Sequence, residues 1–131
     1  MSKKILVADD EPDVLFMTAF SLRTVGGFEV IEARNGLEAL EKAQQSVPDL
    51  IILDIKMPRL NGYETCRRLK QIEALRGVPV VFLSAKGQRQ EVEEGISVGA
   101  VDYILKPFAP EELVAKVHEI LARQEKSPGE R

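Results

Sequence analysis

Short apolar runs alternate with longer stretches of helical periodicity, and this alternation constrains the fold more than any other feature of the sequence. Several of the runs are rich in Val and Ile, which favour strands. The predicted strands are 5–8, 30–31, 50–53, 78–83 and 103–105. The predicted helices are 12–24, 37–45, 63–72, 89–98 and 110–123. Because strands that alternate with helices need crossover connections, the pattern predicts a parallel sheet covered on both faces.

Length and charge narrow the functional classes. A chain of 131 residues can bury one core but is short for two domains, so we expect one domain over residues 1–123 and a polar tail or truncated linker at 124–131. The net charge of -3 argues against direct binding of nucleic acid or an anionic membrane. The N-terminal residues resemble neither a signal peptide nor a spanning helix, and Cys66 has no second cysteine to pair with. A cytoplasmic location is therefore expected.

Polar residues follow the predicted strands. The first strand is followed by Asp9 and Asp10, the third by Asp54, the fourth by Ser84 and the fifth by Lys106. The carboxyl ends of parallel strands share one edge of a sheet, where ligands bind. Two carboxylates about 4 Å apart repel by roughly 4 kcal/mol at an effective dielectric constant near 20. Either Mg²⁺ or the Lys106 ammonium would offset that repulsion, so the sequence predicts a metal site at this edge.

Each of these residues also has an ordinary structural explanation when it is considered alone. Asp9 and Asp10 would cap the following helix, and Asp54 would begin a turn. Ser84 would be a common strand-end residue and Lys106 a solvated loop lysine. These explanations do not account for all five polar groups at the ends of strands one, three, four and five.

Four segments resemble the receiver domain of two-component response regulators. They are ILVADDEPDV, PDLIILDIKMPRLNGYE, PVVFLSAK and GAVDYILKPF, in the family's order and at its spacing. The similarity extends over residues 3–123. It implies a flavodoxin-like α/β fold with five parallel strands in the order 2-1-3-4-5 and five flanking helices, as in chemotaxis regulators.

The resemblance also implies roles for individual residues. Asp54 would accept a phosphoryl group from the phosphohistidine of a sensor histidine kinase or a histidine phosphotransfer protein. Mg²⁺ would be bound by Asp10, Asp54 and the backbone carbonyl of Lys56, with Asp9 acting through water. Such a reaction consists mostly of positioning groups and neutralising charge.

The resemblance implies a conformational response as well. Lys106 and Ser84 would bind phosphoryl oxygens, and the Ser84 hydroxyl would move toward the phosphate. Tyr103 would then turn inward and reshape the surface formed by helix four, strand five and helix five. The alternative for Tyr103 is a half-buried strand aromatic with its hydroxyl in water. The Lys106-Pro107 bond resembles the family's cis peptide.

The first helix carries more apolar residues than a surface helix needs. Helical periodicity predicts that Val14, Met17, Leu22 and Val25 face the sheet and that Leu15, Phe16, Ala19 and Phe20 face away from it. In the family this helix and the loop after strand five receive the helices that carry the phosphohistidine. We therefore predict a kinase-docking surface of Leu15, Phe16, Ala19, Pro107 and Phe108. The alternative is packing against helix five, which is expected for Phe20.

Two features depart from the family's usual pattern. Lys56 and Lys86 occupy positions that help to set how fast water removes the phosphate, and a longer-lived phosphoryl group is the hypothesis; two solvated lysines without a kinetic role are the alternative. Val101-Asp102 and Lys116 stand where receivers joined to winged-helix domains often carry two acids and an arginine that pair across a dimer. Lysine lacks the planar fork of arginine, so that dimer is in doubt.

The sequence thus favours a phosphorylation-activated switch that controls an effector protein or an output domain, as a monomer or a phosphorylation-dependent dimer. A single-domain shuttle and an excised receiver both remain open. Such a protein would catalyse only its own phosphorylation and dephosphorylation. A metal-dependent phosphohydrolase is the alternative, but Lys56 stands where that class usually has a second acid. A flavin or nucleotide site would need a Gly- or Ser/Thr-rich loop after strand one.

Two further residues carry no predicted function. Cys66 is expected to be a small buried hydrophobe. His118, the only histidine, has no partner residues for a metal site or a catalytic triad in its segment of the sequence.

Overall fold

The computed structural model describes residues 2–85 and 88–126, with side chains described as far as residue 124. The strands are β1 (Lys4–Ala8), β2 (Glu29–Ala33), β3 (Leu50–Asp54), β4 (Val80–Ser84) and β5 (Asp102–Leu105). The helices are α1 (Pro12–Thr24), α2 (Gly36–Gln45), α3 (Gly62–Gln71), α4 (Arg89–Ser97) and α5 (Pro110–Lys126). One 3₁₀ turn, Glu73–Leu75, lies between α3 and β4 and was not predicted.

The strands form one parallel sheet in the order β2-β1-β3-β4-β5. The predicted fold class and strand order are therefore confirmed. The register places Asp54 opposite Leu83, and Ser84 opposite Leu105. Because these pairs align the ends of β3, β4 and β5, the residues that follow the strands are brought to one edge.

Side chains from successive strand positions enter two separate cores, one on each face of the sheet. In β3, Ile51 and Leu53 pack with α2 and α3, whereas Leu50 and Ile52 pack with α1 and α5. The alternation follows from the two-residue period of a strand. Full burial on both faces explains why the central strands read as continuous apolar runs.

Asparagine side chains mark the starts of α2 and α3. Asn35 Oδ1 accepts a hydrogen bond from the Glu38 N–H at 2.8 Å, and Asn61 Oδ1 accepts one from the Glu64 N–H at 2.9 Å. These bonds satisfy amide groups that have no partner within a helix. At Gly62 a Cβ would lie 2.4 Å from the Asp54 carbonyl oxygen. The absence of a side chain there lets the start of α3 pack against the end of β3.

The predicted faces of α1 are wrong for four residues. Leu15 and Ala19, predicted to face solvent, are buried, while Met17 and Val25, predicted to face the sheet, are about half exposed. Helix α1 buries small and polar residues, among them Thr18, whose hydroxyl donates to the Val14 carbonyl oxygen at 2.7 Å. The apolar pattern was misleading because hydroxyl groups that bond to their own helix can enter a core.

The prediction for Cys66 is confirmed: it is fully buried, and burial raises the pKa of its thiol to about 11. Helix α5 also contributes four buried residues to the core: Leu113, Val117, Ile120 and Leu121. Strand β4 begins at Val80, two residues later than predicted, although Val78 is buried. Helix α5 extends three residues past its predicted end, into the segment predicted as a polar tail.

Within the described residues, no helix is both long enough and apolar enough to cross a membrane.

Candidate functional site

The strand-end residues converge at the carboxyl edge of the sheet. Asp9 follows β1, Asp54 ends β3, Ser84 ends β4 and Lys106 follows β5. Asp10, Asp54, Ser84 and Lys106 line one cavity of about 320 Å³. Asp9 lies beside the cavity, fully buried, with its Oδ1 accepting a hydrogen bond from the Glu11 N–H at 2.9 Å. The structure therefore brings together the five polar groups that the sequence predicted at this edge.

Lys106 is the cation closest to these acids among the described residues. Its Nζ donates to Asp54 Oδ1 at 3.1 Å and lies 3.2 Å from Asp9 Oδ2 and 3.7 Å from Glu11 Oε1. The Lys106 side chain is 16% exposed and that of Asp54 is 9% exposed, so solvent screens their interaction weakly. One ammonium thus faces three carboxylates.

The pKa values of these groups follow from burial first and from this imbalance of charge second. Burial and then the charge of Asp9 raise the pKa of Asp54 to about 6, although Lys106 opposes the rise. Burial also raises the pKa of Asp9. Burial alone would lower the pKa of Lys106, but its hydrogen bond to Asp54 and the charges of Asp54 and Asp9 raise it. Burial and mutual repulsion therefore destabilise the ionised carboxylates of this site, and a further cation would offset that destabilisation.

The residues present fit a hard divalent cation. Asp9, Asp10 and Asp54 each offer an oxygen within 4.8 Å of the others. Asp9 Oδ2 is buried and accepts no well-aligned hydrogen bond from the described residues, although the Lys106 ammonium lies 3.2 Å from it. An unsatisfied buried carboxylate oxygen beside two other acids is a suitable ligand environment for Mg²⁺, which prefers oxygen and retains waters. Lys56, whose carbonyl was predicted as a ligand, also lines the cavity.

A glutamate that sequence reasoning missed completes the cavity. Ser84 Oγ donates a hydrogen bond of 2.5 Å to Glu91 Oε1, and both residues line the cavity of Asp54. Glu91 lies in the first turn of α4. An acid in the first turn of a helix is ordinarily explained by the helix dipole. Only the distance between α4 and β4 reveals its contact with the serine.

Tyr103 is half-buried and lines a second, smaller cavity. This cavity has a volume of about 100 Å³ and is bounded by Phe82, Ser84, Glu91 and Tyr103, among other residues. The Tyr103 side chain packs against the core that contains Phe82. Its predicted role as a switch stays a prediction. The Lys106-Pro107 peptide bond is cis, which confirms that part of the resemblance.

The predicted docking surface needs correction. Leu15 and Ala19 are 5% and 0% exposed, so neither can contribute a contact surface. Phe16 is 59% exposed, and its ring stacks on that of Phe20 at a centroid distance of 5.8 Å. Phe20 is 50% exposed, and its expected packing against the fifth helix stays a prediction. The remaining predicted members lie in the loop after β5: Pro107 is exposed, and Phe108 packs partly against the core of α1 and α5.

The positions that depart from the family's usual pattern fall in two places. The Lys56 side chain is exposed at the cavity, whereas Lys86 lies outside the described residues. Asp102 is bound within the chain: Arg123 Nη2 lies 2.8 Å and Lys116 Nζ 3.3 Å from its Oδ2. Burial alone would raise the pKa of Asp102, but these cations and the Tyr103 N–H lower it.

The fold and this acidic edge define the class of the protein. The chain belongs to the response regulator receiver domain family, whose model matches residues 5–118.

Individual relatives agree with this assignment. The chain is 42% identical over 125 residues to the alkaline phosphatase synthesis transcriptional regulatory protein PhoP of Bacillus subtilis, covering 95% of this chain and 51% of that protein. It is 42% identical to the DNA-binding response regulator MtrA of Mycolicibacterium smegmatis, covering 99% and 55% of the two chains. The chain thus spans about half the length of these relatives.

Two solved structures share the fold along nearly their entire length. A response regulator from Chloroflexus aurantiacus superposes with a TM-score of 0.88 at 37% identity, covering 94% of this chain and 100% of that one. The chemotaxis protein CheY4 of Vibrio cholerae gives a TM-score of 0.88 at 32% identity, covering 92% and 99%. Receivers of this fold therefore occur both as parts of longer proteins and as chains of this size.

Proposed function

We propose that this chain is a phosphorylation-controlled switch of a two-component phosphorelay and that Asp54 is its phosphoacceptor. One observation carries the proposal: Asp54 is buried at the end of β3, 3.1 Å from Lys106, with Asp9 and Asp10 beside it. A buried carboxylate with a raised pKa, a cation and an oxygen-lined metal environment is suited to accept a phosphoryl group.

Phosphoryl transfer needs one free oxygen on Asp54. Lys106 binds Oδ1, which leaves Oδ2 as the nucleophile. A bond forms between this oxygen and the phosphorus of a donor phosphohistidine as the phosphorus–nitrogen bond breaks. The imidazole nitrogen leaves with the electron pair and is neutralised by a proton. With a pKa of about 6, Asp54 is mostly ionised at neutral pH and ready to react.

The acidic residues would hold the metal. A bound Mg²⁺ would neutralise the charge that builds up on the oxygens of the transferring phosphoryl group. Asp10, Asp54 and the Lys56 backbone carbonyl would be its protein ligands, with Asp9 acting through water. Lys106 offsets the carboxylates before transfer, and afterwards its ammonium would bind a phosphoryl oxygen.

The response would pass from Ser84 to the surface of α4, β5 and α5. The Ser84 hydroxyl would donate to a phosphoryl oxygen, and Tyr103 would turn into the space that the serine leaves. The cavity of about 100 Å³ shared by Ser84 and Tyr103 supports this motion, since it leaves room beside the ring. A shift of this kind requires new bonds that favour one of two states.

The donor would dock on the exposed part of α1 and the loop after β5. Phe16 with Pro107 and Phe108 remain from the predicted surface, and the exposed ring of Phe20 extends it. Exposed, stacked aromatic rings are typical of a protein contact. Phe16→Ala should slow transfer from the cognate kinase or phosphotransfer protein on the order of tenfold and leave phosphorylation by acetyl phosphate unchanged. Leu37→Ala serves as the control, because it removes an exposed apolar side chain from α2, outside the proposed docking surface, and should leave transfer unchanged.

The output and location are proposed from relatives. Transcriptional regulators such as PhoP are about twice the length of the part matched here, which supports an output domain or a separate effector as the controlled partner. The similarity to CheY4 supports a single-domain shuttle equally. A cytoplasmic location fits either arrangement. Direct nucleic-acid or membrane contact is not proposed for this domain.

Phosphoryl lifetime is proposed to depend on Lys56. Its exposed side chain at the cavity would hinder the water that removes the phosphoryl group. Lys56→Asn should therefore shorten the lifetime of the phosphorylated protein, as measured by loss of the adduct over time. Equal or slower decay in the variant would contradict this role.

Intact-mass spectrometry after incubation with acetyl phosphate and Mg²⁺ tests the central proposal. We expect one phosphoryl adduct that is lost in Asp54→Asn and in a sample with chelator. Asp102→Asn provides a matched control, because it neutralises another partly buried aspartate outside the cavity. An adduct that survives in Asp54→Asn would show that another residue is the acceptor.

A further inference from the structure

The contact between Ser84 and Glu91 joins the candidate site to helix α4. Ser84 is 3% exposed, and its Oγ lies 2.5 Å from Glu91 Oε1. A bond of this length is typical of a hydroxyl that donates to a carboxylate, and such charge-assisted bonds are about twice as strong as bonds between neutral groups. Ser84 is also the hydroxyl proposed above to bind the phosphoryl group. The same hydroxyl would thus be shared by two acceptors of the same chemical type, a carboxylate and a phosphoryl group.

Ser84 cannot donate to both partners at once. A serine hydroxyl carries one hydrogen, so donation to Glu91 excludes donation to a phosphoryl oxygen. Charge adds to the competition, because Glu91 lines the cavity that would receive the phosphoryl group. Two anions in one partly desolvated cavity repel. Binding of a phosphoryl group therefore requires that the Glu91 carboxylate give up the serine.

Two contacts of the α4 backbone hold Glu91 close to Ser84. At Gly95, one turn further along α4, a Cβ would lie 2.9 Å from the ring of Phe82 in β4. The missing side chain lets α4 approach β4 closely enough for Glu91 to reach Ser84. The Tyr63 hydroxyl also donates to the Glu91 main-chain oxygen at 3.2 Å. Since that bond uses only the backbone of Glu91, substitution of the Glu91 side chain leaves both the Tyr63 bond and the close packing at Gly95 in place.

We propose that Glu91 is a positioning residue that holds the Ser84 hydroxyl in the unphosphorylated protein and so weakens the site's affinity for a phosphoryl group. The inference rests on the proposed function of Asp54 and adds to it. Glu91 sets the balance between the two states through Ser84, without contact with the reacting atoms. Its release from Ser84 also removes a contact between β4 and the first turn of α4, part of the surface proposed to respond.

Beryllium fluoride, a stable phosphoryl analogue, tests the proposal in the presence of Mg²⁺. Titration followed by backbone amide NMR should show that Glu91→Ala binds it about tenfold more tightly than the wild type, the loss expected for one charge-assisted hydrogen bond. Glu91→Gln retains a neutral acceptor and should lie between the two. Glu94→Gln removes an equal charge from the exposed side of the same helix and should change the affinity by less than about twofold.

Ser84→Ala separates the hydrogen bond from simple charge repulsion. In this background Glu91→Ala should change the beryllium fluoride affinity by much less than tenfold, because only the charge repulsion between Glu91 and the bound anion remains to be relieved. A tenfold effect that persists in Ser84→Ala would overturn the proposal, as would equal affinities of Glu91→Ala and the wild type.

A measurement without metal or phosphoryl analogue examines the contact itself. The Ser84 hydroxyl proton should exchange slowly with water in the metal-free wild type and give an NMR resonance that Glu91→Ala removes and Glu94→Gln preserves. The absence of that resonance from the wild type would contradict the proposal. If the resonance is present but beryllium fluoride does not bind the wild type, the proposed function of Asp54 fails and the contact between Ser84 and Glu91 stands as a structural one only.

Discussion

Two clusters of charged residues in this molecule have opposite electrostatic balance. The site cluster (Asp9, Asp10, Asp54 and Lys106) places one cation among several acids, and burial raises the pKa of Asp54 to about 6. The β5–α5 cluster (Asp102, Lys116 and Arg123) places two cations around one acid, whose pKa is lowered in spite of its burial. The first cluster has an excess of buried negative charge, and the second does not.

The difference separates a site for binding from a contact that only stabilises. A carboxylate that is destabilised by burial is stabilised when a cation binds beside it or when it takes up a proton. The Asp102 carboxylate already has its cations and gains little more. Removing a cation should therefore change chemistry at the site cluster and only stability at the β5–α5 cluster. The predictions below test this contrast, beginning with the largest expected effect.

Loss of the lysine from each cluster should have unequal consequences for phosphorylation. Lys106→Met removes the only described ammonium beside Asp54, and we expect phosphorylation by acetyl phosphate to slow on the order of 100-fold. Lys116→Met, which leaves Arg123 bound to Asp102, should change that rate by less than about twofold. Adduct formation over time, followed by intact mass, measures both. Similar rates for the two variants would remove the distinction between the clusters.

Stability should depend on pH in opposite directions through Asp54 and Asp102. The pKa of Asp54 is raised from 3.8 to about 6, so the folded protein binds its proton more tightly than the unfolded chain does. The resulting stabilisation is present below about pH 4 and is lost as the pH rises through about 6, a change of roughly 3 kcal/mol. Asp54→Asn, which is neutral at any pH, should therefore be the more stable form at pH 7 but not at pH 4.

Urea unfolding of metal-free protein across this pH range provides the measurement. The difference in unfolding free energy between Asp54→Asn and the wild type should grow from about pH 4 to about pH 6 and then level off. A difference that stays constant over that range would show that burial does not raise the pKa of Asp54. Chelator must be present, because a bound cation would lower that pKa.

Magnesium should stabilise the protein through the site cluster alone. At about ten times its dissociation constant, Mg²⁺ should add about 1.4 kcal/mol to the unfolding free energy at pH 7. The gain should shrink near pH 5, where Asp54 is mostly protonated, and should be smaller in Asp54→Asn. Asp102→Asn should retain the full gain. Thermal unfolding with and without Mg²⁺ distinguishes these cases, and equal gains in both variants would place the cation elsewhere.

The sequence predicted the site cluster because its members occupy strand ends. Strand positions follow from apolar periodicity, and a parallel sheet brings its carboxyl ends to one edge whatever the details of packing. Asp9, Asp54 and Lys106 are far apart in the chain, yet the alternation of strands and helices places them at the same edge of the sheet, and the strand order makes them neighbours. The strand order itself came from family resemblance.

The missed features depend on packing distances that periodicity does not contain. The contact between Ser84 and Glu91 requires the close approach of α4 that Gly95 permits. The bond between Asp102 and Arg123 joins residues 21 positions apart and depends on how α5 packs beside β5. The faces of α1 were misassigned because Thr18 satisfies its hydroxyl within the helix and is buried, while Phe16 is left exposed. A side chain's hydrophobicity predicts its average burial and not its position on a particular helix.

The smallest effect is expected from neutralising the acid of the β5–α5 cluster. Asp102→Asn should lower the unfolding free energy at pH 7 by about 0.5 to 1 kcal/mol, since solvent screens partners that are 34% and 48% exposed. The pKa of Asp102 is lowered in the folded state, so its contribution is present above the unfolded value of 3.8 and is lost as the pH falls through the lower folded value. The difference between Asp102→Asn and the wild type should consequently be constant from about pH 5 to 8 and shrink below about pH 4.

Glu93→Gln provides the matched control for this last prediction. It breaks the pair between Glu93 and Arg89, whose side chains are 62% and 91% exposed, and should cost less than the loss of Asp102. Urea unfolding of both variants, at several pH values, gives the comparison. A loss in Asp102→Asn no larger than that in Glu93→Gln would mean that partial burial does not strengthen the β5–α5 cluster. Its lysine and arginine would then be surface charges, and only the site cluster would depend on burial for its electrostatic behaviour.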